Sequence, residues 1–169
     1  MEIQCATLDD AEVVARIHID SWRAAYRGLV PDEFLEKFDY DRQAERFREN
    51  VSSGSEETYL AKVNNEGVGI LTIGACRDED VDQDIMGEIW GIYLAPTEWR
   101  KGYGSTLFNY GEELLHSRGY NQLKLWVFAD NHQARRFYEA MGCEVDGASK
   151  YLDLGVSLKV VRYRKEISC

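Results

Sequence analysis

Pro96-Thr97-Glu98-Trp99-Arg100-Lys101-Gly102-Tyr103-Gly104-Ser105-Thr106-Leu107 is the stretch from which the fold of this chain can be worked out. An apolar run over 89–94 precedes it and indicates a buried strand. Apolar residues follow it at the spacing of one helix face: Leu107, Phe108, Gly111, Leu114 and Leu115. The segment therefore predicts a strand, a basic turn with two glycines, and a helix.

The start of the predicted helix is suited to binding an anion. The first N–H groups of a helix have no partner within it, and that end carries a partial positive charge. Gly102 and Gly104 allow the backbone to approach a ligand closely, and Arg100 and Lys101 add formal charge. The pattern favours a phosphate cradle. A turn that needs its glycines only for backbone conformation is the alternative.

Two nucleotide-binding motifs are excluded at this turn. A dinucleotide fingerprint requires a third glycine at the position of Leu107. A P-loop requires glycine directly before lysine, whereas here Lys101 precedes Gly102. We therefore expect phosphate binding of another kind.

The composition is typical of a globular protein with an acidic surface. The chain has 169 residues, of which 44% are hydrophobic and 30% charged, and a formal net charge of −10. This length fits a single domain over 1–169. The negative charge argues against a nucleic-acid partner, which binds a basic face, and is compatible with a cationic substrate.

No apolar run approaches the roughly 20 residues of a membrane span, so we expect no membrane partner. The start, Met1-Glu2-Ile3-Gln4-Cys5, lacks the basic and apolar regions of a secretion signal. We expect a cytoplasmic protein.

Neither the cysteines nor the acidic residues predict a metal site. The four cysteines are far apart and form no metal or redox pair, so we expect reduced thiols that mostly fill the core. Asp80, Asp82 and Asp84 resemble the start of a calcium loop, but Ile85 replaces its required glycine. We expect the segment 78–84 to be a solvated loop, with attraction of a cationic substrate as the alternative.

The rest of the chain mixes strand and helix signals. Asp9 or Asp10 is expected to cap a first helix, Pro31 to open a second, and Asn131 to cap a short one that ends at Gly142. The remaining strands are predicted over 2–8, 57–64, 68–76, 123–128, 143–151 and 156–167. This order indicates an α/β (α+β) architecture with a mixed sheet.

The aromatic and basic stretch over 22–31 lies at the joint between the first two helices. We expect it to pack and close that corner. One wall of a substrate pocket is the alternative interpretation.

The basic turn, with Pro96 a fixed distance before it, resembles the acyl-CoA pyrophosphate loop of the GNAT superfamily of N-acetyltransferases. The run Asn131-His132-Gln133-Ala134-Arg135-Arg136-Phe137-Tyr138-Glu139-Ala140-Met141-Gly142 resembles the second CoA-contacting segment of that family. Glu88 lies fourteen residues before Gly102, where several members carry a general base. The order of strands and helices also matches, over about 2–167.

The resemblance implies a fold and a site. It implies a mixed, mostly antiparallel sheet of about seven strands flanked by about four helices, with splayed central strands that hold acetyl-CoA. Trp99 stands where the family usually has Arg or Gln, so the basic charge is shifted to Arg100. The implied cofactor-binding residues are Ile92, Tyr93, Leu94, Arg100, Lys101, Gly102, Tyr103, Gly104, Ser105 and Asn131.

The implied catalytic residues are Glu88 and Tyr138. An amine must lose a proton before it attacks, and a carboxylate whose pKa is raised by burial could accept that proton, usually through water. A glutamate paired with a basic neighbour is the alternative at Glu88, and His18, His116 and His132 are rival bases. Tyr138 would protonate or stabilise the departing thiolate; an ordinary core tyrosine is the alternative.

The function implied is direct transfer of an acetyl group from acetyl-CoA to a primary amine of a small molecule or peptide, with no metal. No cysteine lies in a recognised nucleophile setting. The alternatives are protein N-terminal or lysine acetylation, and a non-catalytic acyl-CoA-binding regulatory module. Dimerisation is common in the family, so a homodimer remains open.

Overall fold

The computed structural model describes residues 1–167 and contains a seven-stranded sheet with helices on both faces. The strands are β1 (Glu2–Cys5), β2 (Glu57–Val63), β3 (Glu66–Ala75), β4 (Met86–Leu94), β5 (Gln122–Phe128), β6 (Glu144–Asp153) and β7 (Ser157–Glu166). The α-helices are α1 (Ala11–Tyr26), α2 (Asp32–Glu36), α3 (Tyr40–Ser53), α4 (Tyr103–Ser117) and α5 (His132–Ala140). Within residues 1–167, no helix is long and apolar enough to cross a membrane.

The sheet is mostly antiparallel and opens in the middle. Its order is β1-β2-β3-β4-β5-β7-β6, and among the described strands the parallel pair is β4 with β5. These two strands pair over 86–88 and 122–124 and then separate. The second half of β4 remains paired with β3 on its other edge. The predicted mixed sheet with splayed central strands is confirmed.

Successive side chains along the strands lie on opposite faces of the sheet and pack into two separate cores. On one side of the sheet, which we call the α1 face, Leu60 and Ile70 pack with Ile17 of α1 and with α3. On the other side, the α4 face, Leu71 and Ile89 pack with α4 through residues that include Leu107, Phe108 and Leu115. The central gap therefore opens toward a different helix layer on each face of the sheet.

A β-bulge in β4 changes this alternation at the point where the sheet opens. Ile73 of β3 is opposite Ile89, but Thr72 is opposite Gly91, so Trp90 is an extra residue. The Trp90 ring lies over Gly74 on the α1 face, where Tyr93 also contacts His18. The bulge thus brings Trp90 and Tyr93 to the same face.

The helices differ from the sequence expectation in two places. The second predicted helix is divided into α2 and α3, because Asp39 adopts an extended conformation and caps α3 by accepting a hydrogen bond from the Arg42 N–H at 2.9 Å. Asp10 does not cap α1 through its side chain; its carboxylate instead accepts hydrogen bonds from Thr7 and Lys62. The expected hairpin turn is present, with Asn64 and Asn65 at φ of 51° and 66°.

Candidate active site

A cleft of about 570 Å³ lies in the gap between β4 and β5. Strand β4 contributes one wall from Trp90 to Leu94, and β5 contributes Trp126 and Val127. The start of α4, the start of α5 and the end of α1 complete the lining, through Ser21, Ala24, Ala25, Tyr26, Trp99, Arg100, Gly102, Gly104, Ser105, Asn131, Gln133, Ala134, Arg136, Phe137 and Tyr138. The opening of the sheet therefore creates a long groove with helix N-termini along it.

One end of the cleft has unpaired backbone donors. Gly102 is the N-cap of α4 at φ 86°, and Arg100 just before it has φ 62°. The first helical hydrogen bond of α4 runs from Thr106 N–H to the Gly102 carbonyl at 3.3 Å, so the preceding N–H groups have no partner within the helix. These groups point out of the helix at its positive end, which suits phosphate oxygens.

The side chains around this cradle divide into those that line the cleft and those that do not. Arg100 lines it, whereas Lys101 pairs with both carboxylate oxygens of Glu98 at 3.1 Å. Tyr103 packs against the core of the α4 face. Arg136 also lines the cleft, from the middle of α5. Arg100 and Arg136 are therefore the cationic side chains that line the cleft among the described residues, and phosphate binding by Lys101 stays a prediction.

The middle of the cleft presents the free edge of β4. Ile92, Tyr93 and Leu94 pair with Leu71, Ile70 and Gly69 of β3. Strand β5 has separated by this point, so the other edge of β4 faces the groove without a strand partner, although the Leu94 carbonyl accepts a hydrogen bond from the Trp99 indole N–H at 3.0 Å. An unpaired strand edge binds extended chains that carry amide groups. Ile92, Tyr93 and Leu94 are therefore brought together where a pantetheine arm could lie.

Two groups predicted from the second segment also reach the cleft. Asn131 lines it and caps α5, since its side-chain oxygen accepts a hydrogen bond from the Ala134 N–H at 3.1 Å. Tyr138 lines it from the α4 face, with its ring packed against Phe137 and Phe108. Burial raises the pKa of Tyr138, and its hydroxyl has no hydrogen-bond partner among residues 1–167. The phenol is thus protonated at neutral pH and available to a ligand.

Glu88 does not line the cleft. Its side chain is 1% exposed and lies two residues before Trp90, behind the point where β4 and β5 separate. It accepts hydrogen bonds from the backbone N–H of Arg77 at 3.0 Å and from the Arg77 guanidinium at 2.6 Å, and Lys124 Nζ lies 3.0 Å away. The carboxylate is therefore enclosed by donors. Its role as a base stays a prediction.

Comparison with known proteins identifies the family. The family model described as Acetyltransferase (GNAT) family matches residues 16–143. The chain belongs to the GNAT family. It is 29% identical over 157 residues to the Uncharacterized N-acetyltransferase YuaI of Bacillus subtilis (strain 168), which covers 92% of this chain and 87% of that protein. The resemblance seen in the sequence is confirmed, and the protein is an acyltransferase.

Two further similarities come from Thermoplasma acidophilum. The Spermidine N(1)-acetyltransferase of this organism is 24% identical over 155 residues, covering 86% of this chain and 89% of that protein. The crystal structure of its PaiA N-acetyltransferase in complex with coenzyme A superposes with a TM-score of 0.77 at 20% identity, over 98% of this chain and 99% of that one. The structural similarity confirms the GNAT fold.

The acidic loop of this GNAT protein is anchored at its start. Asp78 accepts hydrogen bonds from Lys124 at 2.6 Å, from the Trp126 indole N–H at 3.0 Å and from Arg162 at 3.2 Å. Burial raises the pKa of Asp78, but the hydrogen bonds from Lys124 and Arg162 outweigh it and hold the pKa below its usual value. The expectation of a solvated loop is therefore wrong for Asp78, whereas Asp82 and Asp84 are exposed.

His18 and Cys143 are poor candidates for chemistry in this GNAT site. Burial lowers the pKa of His18 to about 4, and burial raises the pKa of the Cys143 thiol to about 12. Cys76 is buried as expected, but Cys5 is exposed, and Cys169 lies outside the described residues. No group of three metal-ligating side chains occurs within residues 1–167.

The sequence reasoning missed the aromatic residues at the inner end of the cleft, Trp90 and Trp126. The alternation of β5 indicated that Trp126 shares a face with Lys124, but nothing in it predicted an open gap there. Tyr26 belongs to the stretch for which a pocket wall was the alternative interpretation, and it does line the cleft.

Proposed function

We propose that this protein transfers the acetyl group of acetyl-CoA directly to a primary amine of a small molecule or peptide. The observation that supports this proposal is that one cleft contains a helix N-terminal cradle, a free strand edge and a buried phenol. These three features correspond to the pyrophosphate, the amide-bearing arm and the thioester sulfur of an acyl-CoA.

The substrate would lie along the cleft with its phosphates at α4. The unpaired N–H groups after Gly102 would donate to the pyrophosphate, and Arg100 and Arg136 would add positive charge. The pantetheine amides would pair with the free edge of β4 at Ile92–Leu94, and Asn131 would contact the arm. The acetyl thioester would then lie close to the Tyr138 hydroxyl.

The reaction breaks one bond and forms another. The neutral amine nitrogen attacks the thioester carbonyl carbon, an N–C bond forms, and the C–S bond breaks when the tetrahedral intermediate collapses. The amine nitrogen loses one proton to the base or solvent, and the CoA thiolate gains one from Tyr138. Tyr138 then recovers its proton from the solvent, so the products are an amide and free CoA.

Direct transfer is favoured over an acyl-enzyme intermediate. A cysteine nucleophile requires a thiolate, and burial raises the pKa of both Cys76 and Cys143. Neither cysteine lines the cleft. No metal takes part in the proposed steps.

The experiment uses acetyl-CoA labelled in the acetyl group and a mixture of primary amines and an amino-terminal peptide. Mass spectrometry should find label in an amide product, in amounts equal to the thiol released. Tyr110→Phe is a matched control, because Tyr110 packs against Tyr59 outside the cleft and should leave the yield unchanged. Binding of acetyl-CoA without transfer to any amine would contradict the proposal and favour a binding module.

A further inference from the structure

We propose that the acceptor of this enzyme is a monoamine carried on an apolar or aromatic body, and that a polyamine is not its substrate. The acceptor would bind against an aromatic wall made of Tyr26, Trp90 and Trp126. The inference rests on the proposed acetyl transfer and names the substrate class for that site.

The two indoles of the aromatic wall lie at the inner end of the cleft, and Tyr26 lies beside Phe128, further along β5. Trp90 and Trp126 are each two residues beyond Glu88 and Lys124, the last parallel pair before the strands separate. Trp90 follows Ile89 of the α4 face and so lies on the α1 face, where Tyr26 also approaches the gap from the end of α1. Tyr138 enters from the α4 face. The thioester and the acceptor would therefore be held from opposite faces of the sheet.

The two indoles are fixed in position by their surroundings. Trp90 lies so close over Gly74 that an added Cβ there would be 2.7 Å from the ring, and the Arg77 guanidinium lies 4.2 Å from the ring centre. Trp126 donates its indole N–H to Asp78 at 3.0 Å, and Lys150 Nζ lies 4.2 Å from its ring. Rigid aromatic walls select a ligand by shape at little cost in conformational entropy.

Tyr26 is fixed in a similar way. Its ring packs against Trp22 at a centroid distance of 4.6 Å and against Phe128 at 5.0 Å. Small side chains, Ser21, Ala24 and Ala25, lie beside it on α1 and line the same cleft. The wall therefore borders open space that can accept an apolar group.

The charges around the wall argue against a polyamine. Among the described residues that line the cleft, none is an aspartate or a glutamate. The nearby carboxylates are already paired with protein cations: Glu88 with Arg77 and Lys124, Asp78 with Lys124 and Arg162, and Asp80 and Asp146 with Arg162. A polyamine keeps at least one further ammonium group, whose transfer from water would be uncompensated here.

The same lack of a carboxylate favours the reactive form of a monoamine. An ammonium group that leaves water for an apolar site has its pKa lowered, because burial penalises the charged form. An acceptor amine held against the aromatic wall would therefore lose its proton more readily than in solution. Burial of its ring adds binding energy in proportion to the apolar area removed from water.

The test compares 2-phenylethylamine with spermidine at saturating acetyl-CoA, by thiol release and by the amide formed. We expect kcat/KM for 2-phenylethylamine to exceed that for spermidine by about tenfold or more. A preference for spermidine would overturn the assignment of the aromatic wall as the acceptor site and leave the proposed function intact. Transfer to neither amine, nor to any other amine, in an enzyme that binds acetyl-CoA would overturn the proposed function and the inference with it.

Variants at and beside the aromatic wall test whether the preference for 2-phenylethylamine arises there. Trp126→Leu should raise KM for 2-phenylethylamine by about tenfold, and the Kd for acetyl-CoA should change by less than about twofold. Trp126→Phe keeps a ring and should be intermediate, which provides a second variant if the first fails to fold. Gly74→Ala should displace the Trp90 indole and raise the same KM.

Tyr151→Leu is the matched control, since Tyr151 is an aromatic residue on β6 with 67% of its surface exposed, outside the cleft. It should leave KM for both amines unchanged. An unchanged KM for 2-phenylethylamine in folded Trp126→Leu and Gly74→Ala would overturn the assignment.

Discussion

Replacing Glu88 with glutamine tests whether this residue holds the inner end of the cleft together. Its carboxylate accepts two close hydrogen bonds from Arg77, at 3.0 and 2.6 Å, and lies 3.0 Å from Lys124 Nζ. Glutamine has a single acceptor oxygen, and its amide group would direct N–H donors at the donors of Arg77 and Lys124. Lys124 is fully buried, so its charge cannot turn to water.

The magnitude follows from the loss of one partner in a buried ion pair, which costs about 3–5 kcal/mol. Arg77 is 55% exposed and Asp78 still pairs with Lys124, so the lower end of this range applies. A loss of about 3 kcal/mol lowers Tm by about 6–12 °C in a chain of this size. Glu79→Gln removes an exposed carboxylate from the same loop and should change stability by less than about 0.5 kcal/mol.

The assay is urea unfolding followed by tryptophan fluorescence, with Tm measured by calorimetry. A loss below about 1 kcal/mol for Glu88→Gln would refute the reasoning from burial and pairing. The same variant tests the predicted base: the rising limb of the kcat/KM profile against pH should flatten if Glu88 accepts the amine proton. A lower rate with an unchanged limb would assign Glu88 a structural role alone.

Three other changes have defined outcomes. Tyr138→Phe should lower kcat by about a hundredfold with the Kd for acetyl-CoA unchanged, and an unchanged kcat would remove Tyr138 from the mechanism. Gly104→Val should weaken acetyl-CoA binding by about tenfold or more in calorimetry. Gly104→Ala should bind nearly normally, because its Cβ would make ordinary 3.5 Å contacts. Normal binding by the valine variant would contradict the assignment of this turn as a phosphate cradle. His18 has a pKa of about 4 in the folded chain and about 6.5 in the unfolded chain, so the unfolded chain binds the proton first as the pH falls. The free energy of unfolding should therefore decrease as the pH drops from 6.5 to 4, by about 2 kcal/mol at pH 5. His18→Leu should remove this slope in urea titrations, and an equal slope in both proteins would show that other groups cause it.

The features predictable from the sequence are those set by local chemistry. The glycine turn before α4, the Asn131 cap and the Asn64–Asn65 hairpin turn each depend on neighbouring residues. The resemblance to the GNAT family supplied the separation of the central strands, which spacing alone does not give. The division between α2 and α3 was missed, since it depends on Asp39 adopting an extended conformation inside an otherwise helical pattern.

The features that were missed depend on contacts between distant segments. The pairing of Lys124 with Asp78 joins residues 46 positions apart, so no local pattern identifies Lys124 as buried. The bulge at Trp90 is a difference in register between two strands, and it decides that Tyr93 lies on the same face as Trp90. The pairing of Lys101 with Glu98 was also missed, because it depends on how the turn before α4 places the two side chains; phosphate binding by Lys101 stays a prediction.

The most direct test of the central claim is a calorimetric titration with acetyl-CoA, with the dephosphorylated and the nucleotide-only analogues as controls. We predict a Kd on the order of micromolar that depends on the pantetheine arm, because the free edge of β4 would bind that arm while the α4 cradle would bind the pyrophosphate. If acetyl-CoA and longer acyl-CoAs show no binding, or if the nucleotide alone binds equally well, the assignment of this cleft to an acyl-CoA is wrong.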